Sequence, residues 1–289
     1  MKDLALQHWL NETAAYGLSI SRRVIQIQSR HQRIEIVDTP ALGRVLLLDG
    51  RPMTATGDEF IYHECMVHPC ALTHPAPRRA LVLGGGDGAA ARELLKHPGI
   101  EEVVVAELDA AVVALARQCL PQVHRGALDD PRVSLVIGDA ADFVAEQLAL
   151  REPARFDLVI FDLTPPDSPA RGLFTPAFFA QLKQILTPQA LISLHLGAPF
   201  FQQARVRQLV DVLRLAFRHV AISTAAIPLY GGLWAMAVAS DACDPRALPL
   251  CLLAGRFAER RLHDLRYYHP ALHAALFSLP QYIQDLLNV

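Results

Sequence analysis

Hydrophobic and polar positions change their period once along this chain. Up to about residue 56 the pattern is that of strands. Residues 19–28 are rich in Ile, Val and Ser, residues 33–37 alternate polar and apolar side chains, and residues 45–48 form an apolar run ending in the turn signal Asp49-Gly50. A small antiparallel β domain over residues 1–56 is predicted. Residues 58–72 then read as a helix, opening on acidic side chains, with Phe60, Ile61, Met66 and Val67 placed to share a buried face.

From Arg79 onward short apolar runs alternate with amphipathic stretches. Strands are predicted over residues 80–83, 102–106, 133–137 and 157–161. The helices between and after them cover residues 89–96, stopped by Pro98-Gly99, then 110–120, ended by Pro121, then 141–148 and 176–186. Further strands fall at 190–194, 220–224 and 233–239, with a helix over 202–216. Such βαβ alternation predicts an α/β fold over residues 57–289, a mostly parallel sheet with helices on both faces. Ligands of such a sheet lie beyond the carboxyl ends of its strands.

Composition narrows the class. Hydrophobic residues make up 52% of the 289, enough for a large core, yet no apolar run approaches the roughly 20 residues of a membrane span. No apolar run follows the first residues, so no signal peptide is expected. The 27 basic and 29 acidic residues leave a net charge of −2, which points to neither nucleic acid nor an anionic membrane as partner. Five widely spaced cysteines, Cys65, Cys70, Cys119, Cys243 and Cys251, read as unpaired thiols in a reducing cytosol, so a cytoplasmic location is expected. His68, Cys70 and His74 are one ligand short of a zinc site, and Pro69 and Pro75 make the stretch unlike a zinc knuckle, so no metal is expected.

The candidate chemistry lies in four acids at four strand ends. The first strand runs into Gly84-Gly85-Gly86-Asp87-Gly88, the second into Glu107-Leu108-Asp109, the third into Gly138-Asp139-Ala140 and the fourth into Asp162. In a parallel sheet all four converge on one crevice. A glycine-rich turn between strand and helix lets a ligand approach the backbone closely. Glu107, 23 positions after Gly84, stands where an acid commonly holds ribose hydroxyls, about 20 residues on. Asp87 would repel a pyrophosphate, which argues against NAD or FAD and for a ligand carrying an amine or sulfonium there. It would also serve as a helix N-cap. Asp139 suits the exocyclic amino group of adenine. After Asp162 come Thr164-Pro165-Pro166-Asp167-Ser168-Pro169, a stiff extended loop suited to holding a catalytic group in place.

Taken together these motifs resemble the polyamine aminopropyltransferases, bacterial spermidine synthases most closely. The resemblance covers nearly the whole chain. It includes His31-Gln32, Leu48-Asp49-Gly50, Asp58-Glu59-Phe60-Ile61-Tyr62-His63-Glu64, the glycine turn with Asp87, Glu107-Leu108-Asp109 and Asp129-Asp130-Pro131-Arg132. It continues through Asp162, Leu173-Phe174-Thr175, Ile227-Pro228-Leu229-Tyr230-Gly231-Gly232, Arg266-Tyr267-Tyr268 and Leu279-Pro280-Gln281-Tyr282.

The resemblance implies a Rossmann-like, methyltransferase-type catalytic domain. It implies transfer of the aminopropyl group of decarboxylated S-adenosylmethionine, a co-substrate rather than a cofactor, to an amine, usually putrescine, giving spermidine and methylthioadenosine. It places Gln32, Glu107, Asp139, Ala140 and Pro169 around the adenosyl part and Asp87 on the donor's ammonium. His63, Tyr62 and Tyr230 fall on the acceptor side, and Asp162 takes the proton, aided by Tyr62. A homodimer or homotetramer is expected.

The chain departs from that family at several positions. The loop acid beside the acceptor is Pro165 here, with Asp167 two positions on. Met53 and His195 stand where Gln is common, and Ala140 where Gly is usual. Either Asp167 replaces the lost carboxylate or another amine is served. Loss of one charge-assisted contact would cost about 1.5–3 kcal/mol, roughly ten- to 150-fold in acceptor binding. Two other classes fit the fold. One is an S-adenosylmethionine methyltransferase, which Asp87 opposes. The other is a catalytically idle polyamine or nucleoside sensor, which Asp162 and Tyr62 oppose.

Overall fold

The computed structural model describes residues 5–166 and 168–288. The chain opens with a hairpin of β1 (Ala5–Trp9) and β2 (Ala15–Ser19), followed by an antiparallel sheet of β3 (Arg22–Gln28), β4 (Arg33–Thr39), β5 (Gly43–Leu48) and β6 (Arg51–Ala55). Strand β4 is the apolar centre of that sheet. Ile34 and Ile36 point from it onto Val112, Leu115 and Val123 and are fully buried there. That contact fixes where the N-terminal sheet sits over the rest of the molecule.

Helix α1 (Glu59–Thr73) follows, then β7 (Arg79–Gly84), α2 (Ala89–Leu95), β8 (Glu102–Glu107), α3 (Ala110–Cys119) and the single turn α4 (Pro121–His124). Next come β9 (Val133–Ile137), α5 (Ala140–Ala149), β10 (Phe156–Asp162), α6 (Pro176–Lys183), β11 (Leu186–Gly197), α7 (Gln203–Ala216), β12 (His219–Ile227) and β13 (Gly232–Ser240). Helices α8 (Leu250–Glu259), α9 (Pro270–Leu276) and α10 (Gln281–Leu287) close the chain. The large sheet has the order β12-β13-β11-β10-β7-β8-β9, with β11, β10, β7, β8 and β9 parallel and β13 antiparallel to both its neighbours.

The sheet is covered on both faces, as its near-continuous apolar strands require. One face packs against α1, α2, α8 and α9 and the other against α5, α6, α7 and α10. Phe161, Phe174, Phe178, Phe179 and Phe217 form a chain of ring contacts on the second face. The predicted helix at 176–186 ends at Lys183, because Leu186 already pairs with Phe156 in the sheet. The β1–β2 hairpin and the C-terminal helices were not predicted. One residue of β1 and one of α8 are buried.

Helix α1 is buried along nearly its whole length and is held by polar contacts from the distant C-terminal segment. Its last carbonyls accept from two arginines of the α8 region. Arg256 donates to Leu72 and Thr73, and Arg260 to Ala71, His74 and Pro75. Cations at a helix C-terminus satisfy orphan carbonyls and oppose the negative end of the dipole. The buried carboxylate of Glu64 accepts the backbone N–H groups of Arg266, Tyr267 and Tyr268 at 2.9, 2.8 and 2.8 Å. The C-terminal segment is thus anchored on α1 at specific points.

Candidate active site

Strand β10 and strand β7 are neighbours, but the chain leaves them in opposite directions across the sheet, so a crevice opens beyond their carboxyl ends. The glycine turn lies across that crevice. Gly84 has φ +76°, and a Cβ there would collide with the carbonyl oxygen of Asp162. Gly85 N–H donates to the same carbonyl at 2.9 Å. Gly86 N–H donates to Glu107 Oε2 at 3.1 Å, and a Cβ on Gly86 would lie 2.9 Å from that carboxylate. The glycines therefore let the turn close onto two other strand ends at once.

Four acids rim the cleft, as predicted. Glu107 is held through both oxygens, since Oε1 also accepts Asp109 N–H at 2.9 Å. Burial pushes its carboxyl up to about 7 against the two N–H donors. Asp87 is buried. Its Oδ1 accepts Ala89 N–H at 2.9 Å, while Oδ2 faces His63 Nε2 at 3.8 Å. The N-cap of α2 is Gly88 rather than Asp87, which precedes it and binds the first N–H of the helix. Burial raises its pKa, partly offset by His63. Asp139 is exposed on the rim, where Oδ1 accepts Ala141 N–H at 2.8 Å, and Ala140 and Pro169 line the cleft beside it.

Gln32 reaches the cleft from the N-terminal sheet. Its Nε2 donates to Asp109 Oδ2 at 3.2 Å, and Ser29 Oγ donates to the same oxygen at 2.5 Å. Asp109 was part of the predicted motif but had been given no task. It ties the N-terminal sheet to the end of β8.

At the other end of the cleft Tyr62 and His63 project from α1 and Tyr230 from the turn between β12 and β13. Asp58, at the start of α1, accepts Leu229 N–H at 2.7 Å and so joins that turn to the helix. Tyr62 is in edge contact with Tyr230, whose hydroxyl donates to the Met53 carbonyl at 2.7 Å. Burial and then Asp162 hold the Tyr62 hydroxyl well above its ordinary pKa. Asp162 Oδ2 is buried, has no hydrogen-bond partner among the described residues, and lies 3.7 Å from His63 Nε2. Oxygens of Asp87 and Asp162 and Nε2 of His63 lie within 4.8 Å of one another, a set that suits an ammonium or a small metal cation. Asp167 lies outside the described residues.

Three functional contacts escaped the sequence reading. His195 Nε2 donates to the Leu163 carbonyl at 2.8 Å and so braces the loop that follows Asp162, and its ring stacks on Trp234. His8, from the first hairpin, lines the far end of the cleft. Glu59 accepts His63 Nδ1–H at 3.0 Å and is itself gripped by Arg92 at 2.9 and 2.8 Å. The spacing of Glu59 and His63, one helical turn apart, was the available signal for the last. His68, set aside above as a metal ligand, bonds instead to His97 and Glu93 at 3.0 and 2.8 Å.

Comparison with known proteins agrees along the whole chain. Residues 59–246 match the spermine/spermidine synthase domain family and residues 9–55 the spermidine synthase tetramerisation domain family. A polyamine aminopropyltransferase of Nitrosomonas europaea is 44% identical over 99% of this chain and 86% of its own length. One from Klebsiella pneumoniae subsp. pneumoniae is 40% identical over 100% of this chain and 99% of its own. A spermidine synthase solved with the transition-state analogue AdoDATO superposes with a TM-score of 0.91 at 30% identity, covering 100% of this chain and 96% of that one.

Proposed function

Because the chain belongs to the spermine/spermidine synthase family and is a polyamine aminopropyltransferase, we propose that putrescine is the amine it extends, with decarboxylated S-adenosylmethionine as donor and spermidine and methylthioadenosine as products. The methyltransferase and idle-sensor readings fall with that membership. The observation that carries the proposal is the pair Asp87 and Asp162, whose carboxylate oxygens lie within 4.8 Å of each other in a cleft that Tyr62, Tyr230 and Trp234 also line. One acid suits the donor's ammonium and the other the reacting amine.

In this reading Glu107 holds the ribose hydroxyls, Gln32, Asp139, Ala140 and Pro169 surround the adenosine, and Asp87 takes the terminal ammonium. A carboxylate on the donor would face Asp87, which selects the decarboxylated form. On the acceptor side Tyr62, His63 and Tyr230 line the amine's path, and Asp167 is assigned to the same side by family resemblance alone.

An alkylamine with a pKa near 10.4 is neutral in only about one molecule in 2,500 at pH 7, a deficit of roughly 4.6 kcal/mol. Asp162, with Tyr62 beside it, takes the proton as the amine nitrogen attacks the carbon next to sulfur. The carbon–sulfur bond breaks, and its electron pair leaves on the thioether. Since the sulfonium loses its charge, a dry apolar surround favours the transition state.

A changed acceptor is the second reading. Met53, Pro165 and His195 all lie in the cleft, and none carries the carboxylate or amide usual at its position. The test is to incubate the protein with decarboxylated S-adenosylmethionine and a panel of diamines and triamines, measuring methylthioadenosine and identifying the amine product. Putrescine is expected to give the highest kcat/KM, and a clear preference for a longer amine would replace it.

We also propose that the chain divides near residue 56, between the β6 ladder and α1, and that it assembles as a homo-oligomer through its N-terminal part. The match of residues 9–55 to a tetramerisation domain family supports both. A cytoplasmic location is proposed from five free cysteines. Among the described residues no helix is long and apolar enough to cross a membrane.

A further inference from the structure

Both nitrogens of the His63 ring face acceptors. Nδ1 lies 2.8 Å from the Glu59 carbonyl oxygen and 3.0 Å from Glu59 Oε2. Nε2 lies 3.7 Å from Asp162 Oδ2 and 3.8 Å from Asp87 Oδ2. A neutral ring protonated on Nδ1 would turn a lone pair toward two carboxylates, whereas the imidazolium presents a donor on each side. The ring is 2% exposed, so water screens these charges little.

The titratable groups around it are Asp58, Glu59 and Tyr62 at the start of its own helix, Arg92 on α2 behind Glu59, Asp87 after β7, and Asp162 at the end of β10. Burial alone would lower the His63 pKa. Asp162, Asp87 and Glu59 overturn it, and the ring titrates well above its ordinary value.

We propose that His63 is the resident cation of the free enzyme, and that its Nε2 proton leaves to solvent when the donor's ammonium settles on Asp87. The inference rests on the aminopropyltransferase reading above. The N–H bond breaks with its electron pair left on Nε2, so one positive charge departs as another arrives. The neutral ring then offers a lone pair beside Asp162, where an imidazolium would repel an amine arriving in its protonated, ammonium form. Glu59, held by Arg92, is the positioning residue that keeps Nδ1 protonated and Nε2 turned toward the cleft.

The test is calorimetric binding at pH 7.5 in buffers of different ionisation enthalpy, comparing decarboxylated S-adenosylmethionine with methylthioadenosine. Methylthioadenosine shares the adenosine and lacks the ammonium, so any proton from Glu107 is common to both. The donor is expected to release roughly one proton more per site. The ring nitrogen shifts of His63, assigned with His63→Gln, should pass from imidazolium to neutral on donor binding. In Glu59→Gln, which keeps the buried shape, the extra release should fall by half or more while the donor still binds.

Equal proton counts for the two ligands would overturn the proposal and leave the aminopropyltransferase reading intact. Extra release without a change at His63 would assign the proton to Asp87 and overturn it too. If the decarboxylated donor failed to bind at all, the reading beneath it would go first.

Discussion

Glu107 and Asp162 stand at the carboxyl ends of two strands of one sheet, yet the chain treats them differently. Glu107 has both oxygens held by backbone N–H groups, and the neighbouring acids Asp87, Asp109 and Asp139 each accept a backbone N–H at the start of a helix through one oxygen. Asp162 has a buried oxygen without a partner among the described residues. Around it other buried polar atoms are in the same condition, among them His195 Nδ1, Trp234 Nε1 and His8 Nε2. The proposed donor half is thus preorganised by the main chain, which a mutation of a side chain elsewhere moves little. The proposed acceptor half is built of side chains, several of whose buried polar atoms have no partner among the described residues. One half is fixed by topology, and the other is open to retuning.

The sharpest way to break this comparison is Asp162→Asn. It preserves shape and removes the base, so turnover, read as methylthioadenosine release, should fall several hundred-fold with donor binding little changed. Near-normal turnover would assign the proton to another group.

Asp87→Asn comes next. The loss of one charge-assisted contact should lower kcat/KM for decarboxylated S-adenosylmethionine by about ten- to 150-fold. Thermal-shift titration should show the preference over S-adenosylmethionine shrinking with it.

Glu107→Gln should raise the donor KM roughly tenfold, because an amide offers one acceptor where two N–H groups need two. A pH series adds a signature. Glu107 must lose its proton to accept ribose hydroxyls, so the wild type's donor affinity should fall as pH drops below about 7, and the variant should lack that limb. The same raised pKa means the folded state binds more protons than the unfolded chain between roughly 4.5 and 7. Its share of stability therefore declines as pH rises through that window.

The smallest effect should come from His195→Gln, an amide that can still donate to the Leu163 carbonyl. Amine KM should change by less than about threefold and donor KM not at all, provided that bracing the loop is what His195 does.

The donor half was legible in the sequence because its acids follow directly on predicted strands, and a parallel sheet brings all such ends together. The acceptor half was legible only by family resemblance. His8, Met53, Tyr62, His195 and Trp234 come from five separate elements, and no local period announces that they meet. The His63–Glu59–Arg92 contacts lay between these cases. The i,i+4 pair was visible, but Arg92 enters from a second helix whose packing angle no pattern of apolar positions specifies. The first hairpin went unread for a simpler reason: one residue of β1 is buried, so the strand carries little hydrophobic signal.

Helix α1, which bears Tyr62 and His63, has its buried Glu64 satisfied by the backbone of residues 266–268 and its last carbonyls by Arg256 and Arg260. During synthesis those groups emerge some two hundred residues after the helix they secure. A ribosome-bound chain lacking them would leave a carboxylate and five carbonyls without protein donors, each at a cost of about 1–3 kcal/mol if kept from water. Until residues 256–268 are made, α1 lacks these partners, and cleavage of the chain ahead of them is expected to lower activity although it touches no residue lining the cleft.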